Sequence, residues 1–225
     1  MTQGKDMQTN KRKGGMTRSS HIYDILREDL VNGRFQAGER LAINSLRECY
    51  NVGLSPLREA LSRLSAYGLL IQENQRGFRV PRLDRAELDD IAEMRLQLES
   101  MAIKRAMEGG DAQWESELLA AAHRLKRADE ADGQIDDWEQ LHGEFHRTLL
   151  APCGSAWLLR FIEQLYDQFD RYRRLAPPAP SIRQQLNQQH DELVNLALER
   201  NVTAAQALLE AHVYDSYRVA LGACQ

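Results

Sequence analysis

One fourteen-residue stretch, SPLREALSRLSAYG at positions 55–68, limits the fold more than any other. Leu57, Ala60, Leu61 and Leu64 recur at helical spacing and make one face apolar, while Arg58, Glu59, Ser62 and Arg63 fall off it. Ser55 is expected to cap the helix start, with Pro56 at the first helical position, where its missing N–H costs nothing. Tyr67-Gly68 ends the helix, Gly68 supplying the left-handed residue beyond it. Alone, such a segment is an amphipathic surface helix. Its neighbours decide what it serves.

Upstream, Ser45-Leu46-Arg47-Glu48-Cys49-Tyr50 forms a shorter helical pattern that Asn44 is expected to cap. The link Asn51-Val52-Gly53-Leu54 is short and holds a glycine, as where two helices meet in a helix-turn-helix. Downstream, Leu69-Leu70-Ile71-Gln72-Glu73 and Gly77-Phe78-Arg79-Val80 flank the turn Asn74-Gln75-Arg76-Gly77, which predicts a β-hairpin, or wing. A first helix spans residues 18–31, with Ile22, Ile25, Leu26 and Leu30 as its buried stripe and Asn32-Gly33 as its stop. Phe35, Gly38 and Leu41 shape the turn that follows. Residues 18–82 thus read as a winged helix-turn-helix, a DNA-binding module. Residues 1–17 read as a flexible basic tail whose Lys5, Lys11, Arg12 and Lys13 can touch phosphates.

From Leu83 onward no strand is expected. Helical segments at about 85–107, 112–130, 136–150, 155–175, 181–200 and 204–221 are separated by glycine and proline breakers, with apolar residues at three- and four-residue spacing. Short connections imply an antiparallel bundle over residues 83–222. The expected fold class is therefore mainly α: an N-terminal winged helix-turn-helix and a C-terminal all-α six-helix antiparallel bundle. Charge divides at the same place. Up to Leu83 the chain carries 14 Lys+Arg against 8 Asp+Glu, and beyond it 15 against 25, giving +6 and −10 within the overall −4. The basic half suits phosphates and the acidic half would be repelled by them. No apolar run approaches the roughly 20 residues needed to span a bilayer. Cys49, Cys153 and Cys224 are too scattered for a metal set and read as reduced cytoplasmic thiols.

Four of the six histidines are placed suggestively. His142 and His146 lie four apart in LHGEFH, on one helix face, and His190 and His212 fall on the last two helices. As neutral imidazoles they could surround a divalent ion, zinc or nickel being the best suited; separate surface or buried histidines are the plainer reading. Arg95, four residues before Glu99, is either half of a buried salt bridge or a fork aimed at a ligand carboxylate. Tyr166, Arg171, Tyr172, Arg173 and Arg174 are expected to form a solvated charged face. The sequence holds no phosphate loop, GxSxG elbow or HExxH signature. A metal-dependent enzyme on a helical bundle stays open as an alternative, though Glu144 points off the His142/His146 face; so does a constitutive DNA-binding protein without an effector.

Taken together, GRFQAGERL (33–41), SPLREALSRLSAYGLL (55–70), RGFRV (76–80), the Arg95/Glu99 helix and the His146, His190, His212 set resemble the GntR family of bacterial transcription factors, in its branch with a FadR-type helical C-terminal (FCD) domain. The likeness covers residues 18–222. It implies a cytoplasmic, homodimeric, ligand-responsive repressor that binds double-stranded operator DNA and no membrane. Ser55 and Arg58 would then lie near bases or phosphates, Asn44 or Arg47 on the backbone, and the Arg76-Gly77 wing tip in the adjoining groove. His142, His146, His190 and His212 would hold the ion, with Arg95 and Ser155 on the effector. Segments GLSPLREALS, WESELLAAAHRL, HGEFH and CGSAWLL are most similar to a member tied to glutarate and 2-hydroxyglutarate catabolism, which implies a small dicarboxylate effector. Two departures stand out: family members often have Ser-Arg-Thr-Pro where this chain has Gly53-Leu54-Ser55-Pro56, and many have Asp where it has His142.

Overall fold

In the computed structural model, which describes residues 18–73, 77–130, 135–176 and 178–224, α1 (Arg18–Val31) lays Ile22, Leu26 and Leu30 against α3 (Leu54–Ala66). Leu57, Ala60, Leu61 and Leu64 of α3 are all fully buried there, as the periodicity requires. Between them runs α2 (Ile43–Cys49), joined to α3 through Asn51 at φ 47, a left-handed conformation that asparagine tolerates better than most residues. Strands β2 (Ile71–Glu73) and β3 (Gly77–Arg79) form the hairpin, Gly77 opening β3 at φ 92. A strand that the sequence reading missed, β1 (Arg40–Leu41), pairs with the other side of β3, Leu41 opposite Phe78, in the order β1-β3-β2. Two residues are too few to carry a period.

The cap assignments need correction. Helix α2 starts at Ile43 with Ala42 as N-cap, and α3 starts at Leu54 with Gly53, extended at φ −69 and ψ 157, as N-cap; neither cap makes a side-chain hydrogen bond. Asn44 and Ser55 therefore sit in the first turn of their helices rather than before it. Pro56 is third in α3, where an N–H would also lack a helical partner. Ile25 is half-buried, whereas the other three positions of its stripe are buried.

The expected bundle follows as α4 (Arg85–Gly109), α5 (Ala112–Glu130), α6 (Ile135–Leu150), α7 (Ala156–Arg173), α8 (Pro180–Leu198) and α9 (Val202–Ala220). Asp84, Ser155 and Asn201 cap α4, α7 and α9 by accepting backbone N–H bonds. Helix α4 packs on α7 and α9, α5 on α6 and α8, and α8 on α9, around Ile103, Leu118, Phe145, Leu149, Leu193 and Val213. Among the described residues no helix is long and apolar enough to cross a membrane.

Helix α7 also meets the first half of the chain. Arg27 of α1 donates to Asp167 and to Glu163 at 2.6 Å each, and Gln164 donates to the Tyr67 carbonyl at 2.9 Å. Arg171 donates to the Pro81 carbonyl at 2.9 Å. At Gly68, φ 91, an added Cβ would come within 3.0 Å of the Gln168 side chain, so both backbone angle and close approach call for glycine.

Candidate functional site

His142 and His146 on α6, His190 on α8 and His212 on α9 turn inward to one point, their ligand nitrogens all within 4.8 Å of one another. The Nε2 atoms of His142 and His146 are 3.1 Å apart, and those of His190 and His212 are 3.3 Å apart. Four nitrogens set tetrahedrally at zinc–imidazole distances would be roughly 3.3 Å from each other, so the donor set fits a small divalent ion. The outer side of the cluster supports this. His212 Nδ1 lies 3.0 Å from Gln189 Oε1, which places the proton on Nδ1 and leaves the Nε2 lone pair facing the other imidazoles. Gln189 is itself anchored by donating to Asp215 at 2.8 Å. His142 stacks on Trp138 with ring centroids 4.8 Å apart.

Burial holds all four imidazoles neutral. It pushes His142, His146 and His212 well below the ordinary histidine range and His190 down to about 3. The Arg173 guanidinium adds to this at each histidine, as does Arg95 at His146 and His212. Neutral imidazole is the form that ligates a metal.

Beside the cluster, Arg95 donates through Nε to Glu99 at 2.7 Å, and Tyr166 donates to the other Glu99 oxygen at 2.9 Å. Glu99 is fully buried and Arg95 nearly so, the guanidinium lying 4.3 Å from the Phe169 ring centre. Tyr166 is 6.0 Å, ring to ring, from His146, so Arg95 and the cluster share one interior. Both readings of Arg95 meet here: it is a salt-bridge partner, and it stands near the imidazoles. Ser155 uses its hydroxyl to accept from the Leu158 N–H at the start of α7.

The solvated charged face expected on α7 is not there. Tyr166, Arg171, Tyr172 and Arg173 are all buried. Arg173 donates to Glu139 and to Asp170, and Arg171 to Gln168 at 2.8 Å. The reason is topological: α7 is covered by the bundle on one side and by α1, Tyr67, Gly68 and Pro81 on the other. Glu139, Gln189 and Asp167 were also missed, since no spacing rule ties them to partners 23 to 140 residues away. Burial pushes the Asp167 carboxyl up to about 6 even with Arg27 beside it.

On the first half of the chain Asn44, Arg47, Ser55 and Arg58 are all exposed. A groove of about 640 Å³ separates α3 from the hairpin, lined by Asn44, Leu54, Arg58, Ser62, Gln72 and Gly77. Arg47 and Arg58 make no ion pair with a described residue, whereas Glu73 holds Arg40 at 2.8 Å and Arg79 at 2.7 Å. Arg76 lies outside the described residues, as do Lys5, Lys11, Arg12 and Lys13.

Comparison with known proteins places this geometry. Residues 18–80 match the family model for bacterial regulatory proteins of the gntR family, and residues 90–215 match the FCD domain. The chain is similar to the HTH-type transcriptional regulator BphR of Paraburkholderia xenovorans (strain LB400), at 37% identity over 88% of this chain and 82% of that one. It is also similar to the HTH-type transcriptional repressor GlaR of Escherichia coli (strain K12), at 35% identity over 85% of this chain and 90% of that one. The solved structure of E. coli McbR/YncC shares the fold, with a TM-score of 0.83 and 22% identity over 94% of this chain and 100% of that one.

Proposed function

The chain belongs to the gntR family of bacterial regulatory proteins, with an FCD domain after its helix-turn-helix, and on that premise we propose that it is a cytoplasmic, homodimeric repressor of a catabolic operon, released from DNA by a small dicarboxylate. Transcription regulation, rather than catalysis, is what the family membership carries. The observation that carries the effector reading is the convergence of four neutral imidazoles, three of them buried and His142 half-buried, beside Arg95 in the interior that α7 closes.

In this reading residues 18–82 bind operator DNA and residues 83–222 bind effector and dimerise. Helix α3 enters the major groove, with Arg58 and Ser55 toward bases or phosphates. Asn44 and Arg47 reach the sugar-phosphate backbone, and the wing tip at Arg76-Gly77 reaches the adjoining groove. Trp157 and Phe161, 66% and 51% exposed and with ring centroids 6.1 Å apart near the start of α7, suit the face that a second copy would cover.

His142, His146, His190 and His212 would hold a zinc or nickel ion. Neutral ligands leave such an ion its full charge, which would attract an effector carboxylate through space or as an added fifth ligand. Arg95 or Ser155 would take the second carboxylate, so the spacing between them selects chain length, as glutarate or 2-hydroxyglutarate offers. Helix α7 is the coupling element. Tyr166 and Arg173 tie it to the interior through Glu99 and Glu139, and Asp167, Gln164 and Arg171 tie it to the DNA-binding half. An effector that shifts α7 lowers operator affinity by the coupling free energy between the two sites.

The test is a gel shift titrated with C4–C6 dicarboxylates. Arg95→Ala and His146→Ala should each still bind DNA but no longer release it, while His123→Ala on α5 should behave as wild type. A dicarboxylate response that survives both substitutions would remove the pocket from the account. A wild-type protein that no dicarboxylate releases would favour a constitutive DNA-binding protein.

A further inference from the structure

Leu54 is the first residue of α3 and remains 42% exposed. The packing of α3 does not require it, since Leu57, Ala60, Leu61 and Leu64 already fill the core face at 0% exposure. Leu54 instead shares a face with Arg58 and Ser62, four and eight residues along the helix, and all three line the groove between α3 and the hairpin. The groove's other lining is mixed: Asn44, Gln72 and Glu73 are polar, while Leu41, Ala42, Ile43 and Phe78 are apolar. A large apolar side chain thus stands at the leading end of the helix, on the side that carries an exposed arginine without an ion-pair partner among the described residues.

In the major groove, base edges offer hydrogen-bond donors, acceptors and one apolar group, the C5-methyl of thymine. Leucine can neither donate nor accept. It can gain from a base edge only by covering that methyl, and against cytosine it would cover a polar amino group instead. The N-terminal residues of a recognition helix are those that reach base edges. We propose that Leu54 reads the C5-methyl of a thymine in each operator half-site, with Arg58 one turn behind it on a polar edge or phosphate. This rests on the DNA-binding reading above and deepens it: the half of the chain that recognises sequence does so in part by an apolar contact.

The experiment uses the full-length protein and a binding site selected with it from a random-sequence duplex library. Each thymine of that site is then replaced singly by deoxyuracil, which removes the methyl and nothing else. Wild type should lose roughly fourfold in affinity at one thymine per half-site, the scale of one methyl-sized group returned to water. Leu54→Ala should bind the thymine duplex more weakly by at least that factor and bind the two duplexes equally at that position. Equal binding of thymine and uracil by wild type at every position overturns the proposal without recourse to any variant. So does a Leu54→Ala protein that keeps the wild-type preference. A selection that enriches no sequence would overturn the DNA-binding reading itself, which is a different result from an enriched site indifferent to the methyl.

Discussion

Between α1, α3 and the hairpin the buried residues are leucine, isoleucine, valine, alanine and phenylalanine, with Ser19 as the single buried polar residue among those described before residue 83. Inside the bundle, burial takes in Arg95, Glu99, Glu139, Arg173, His146, His190 and His212. The first half keeps its polar groups outside and has a core that does nothing but hold α3 and the wing in place. The second half buries charge and neutral bases that a merely stable bundle would replace with hydrocarbon, often without loss. That difference supports the proposed division of roles, with the surface acting where the core is conventional and the interior acting where the core is costly.

The largest expected effect comes from breaking a buried pair. Glu99→Ala leaves the Arg95 guanidinium buried without its carboxylate and should destabilise the helical half by about 3–5 kcal/mol. Trp114, Trp138 and Trp157 are the only tryptophans of the chain and all lie in that half, so denaturation followed by tryptophan fluorescence reads it selectively. A loss under 1 kcal/mol would mean that the interior charge is better solvated than its burial implies.

Acid should separate the halves next. His146, His190 and His212 are held neutral in the folded chain but titrate near 6.5 when unfolded. The unfolded state therefore binds more protons below that pH, and stability falls as pH falls. Each contributes about 1 kcal/mol between pH 6.5 and 5.5, roughly 3 kcal/mol for the three, in protein stripped of metal by a chelator. The DNA-binding half has no buried histidine among its described residues and should hold its stability over the same interval. Parallel loss in both halves, read by tryptophan fluorescence against amide exchange of α1 and α3, would break the comparison.

The smallest effect on stability should come from the surface proposed to bind DNA. Arg58→Ala should change folding by less than about 0.5 kcal/mol yet weaken operator binding by about tenfold or more. Wild-type affinity should also fall steeply as salt rises, because phosphate contacts release counterions. An unchanged gel shift would remove Arg58 from the interface.

The same contrast explains what the sequence could reveal. Periodicity exposed the apolar cores and all six bundle helices, because a helix buries one stripe wherever it lies. The spacing of His142 and His146 was legible for the same reason, and with His190 and His212 it named the four imidazoles that the fold brings together. What escaped was whatever depends on being covered from two sides. Arg171 and Arg173 look like solvent residues in isolation, and only the meeting of α7 with Pro81 and with Glu139 shows otherwise. Caps escaped too, because Gly53 and Ala42 work through backbone angles and leave Asn44 and Ser55 as better-looking but misplaced candidates. Strand β1 is short enough that only its pairing with Phe78 and Arg79 of β3 defines it.

In the proposed function the costly interior and the conventional surface are two ends of one equilibrium, joined through α7. Linkage tests it most directly, by measuring the affinity of full-length protein for glutarate by calorimetry, first alone and then with saturating operator duplex. Operator should weaken glutarate binding by the same factor by which glutarate weakens operator binding, on the order of 5- to 150-fold. Glutarate affinity that is the same with and without DNA would contradict it.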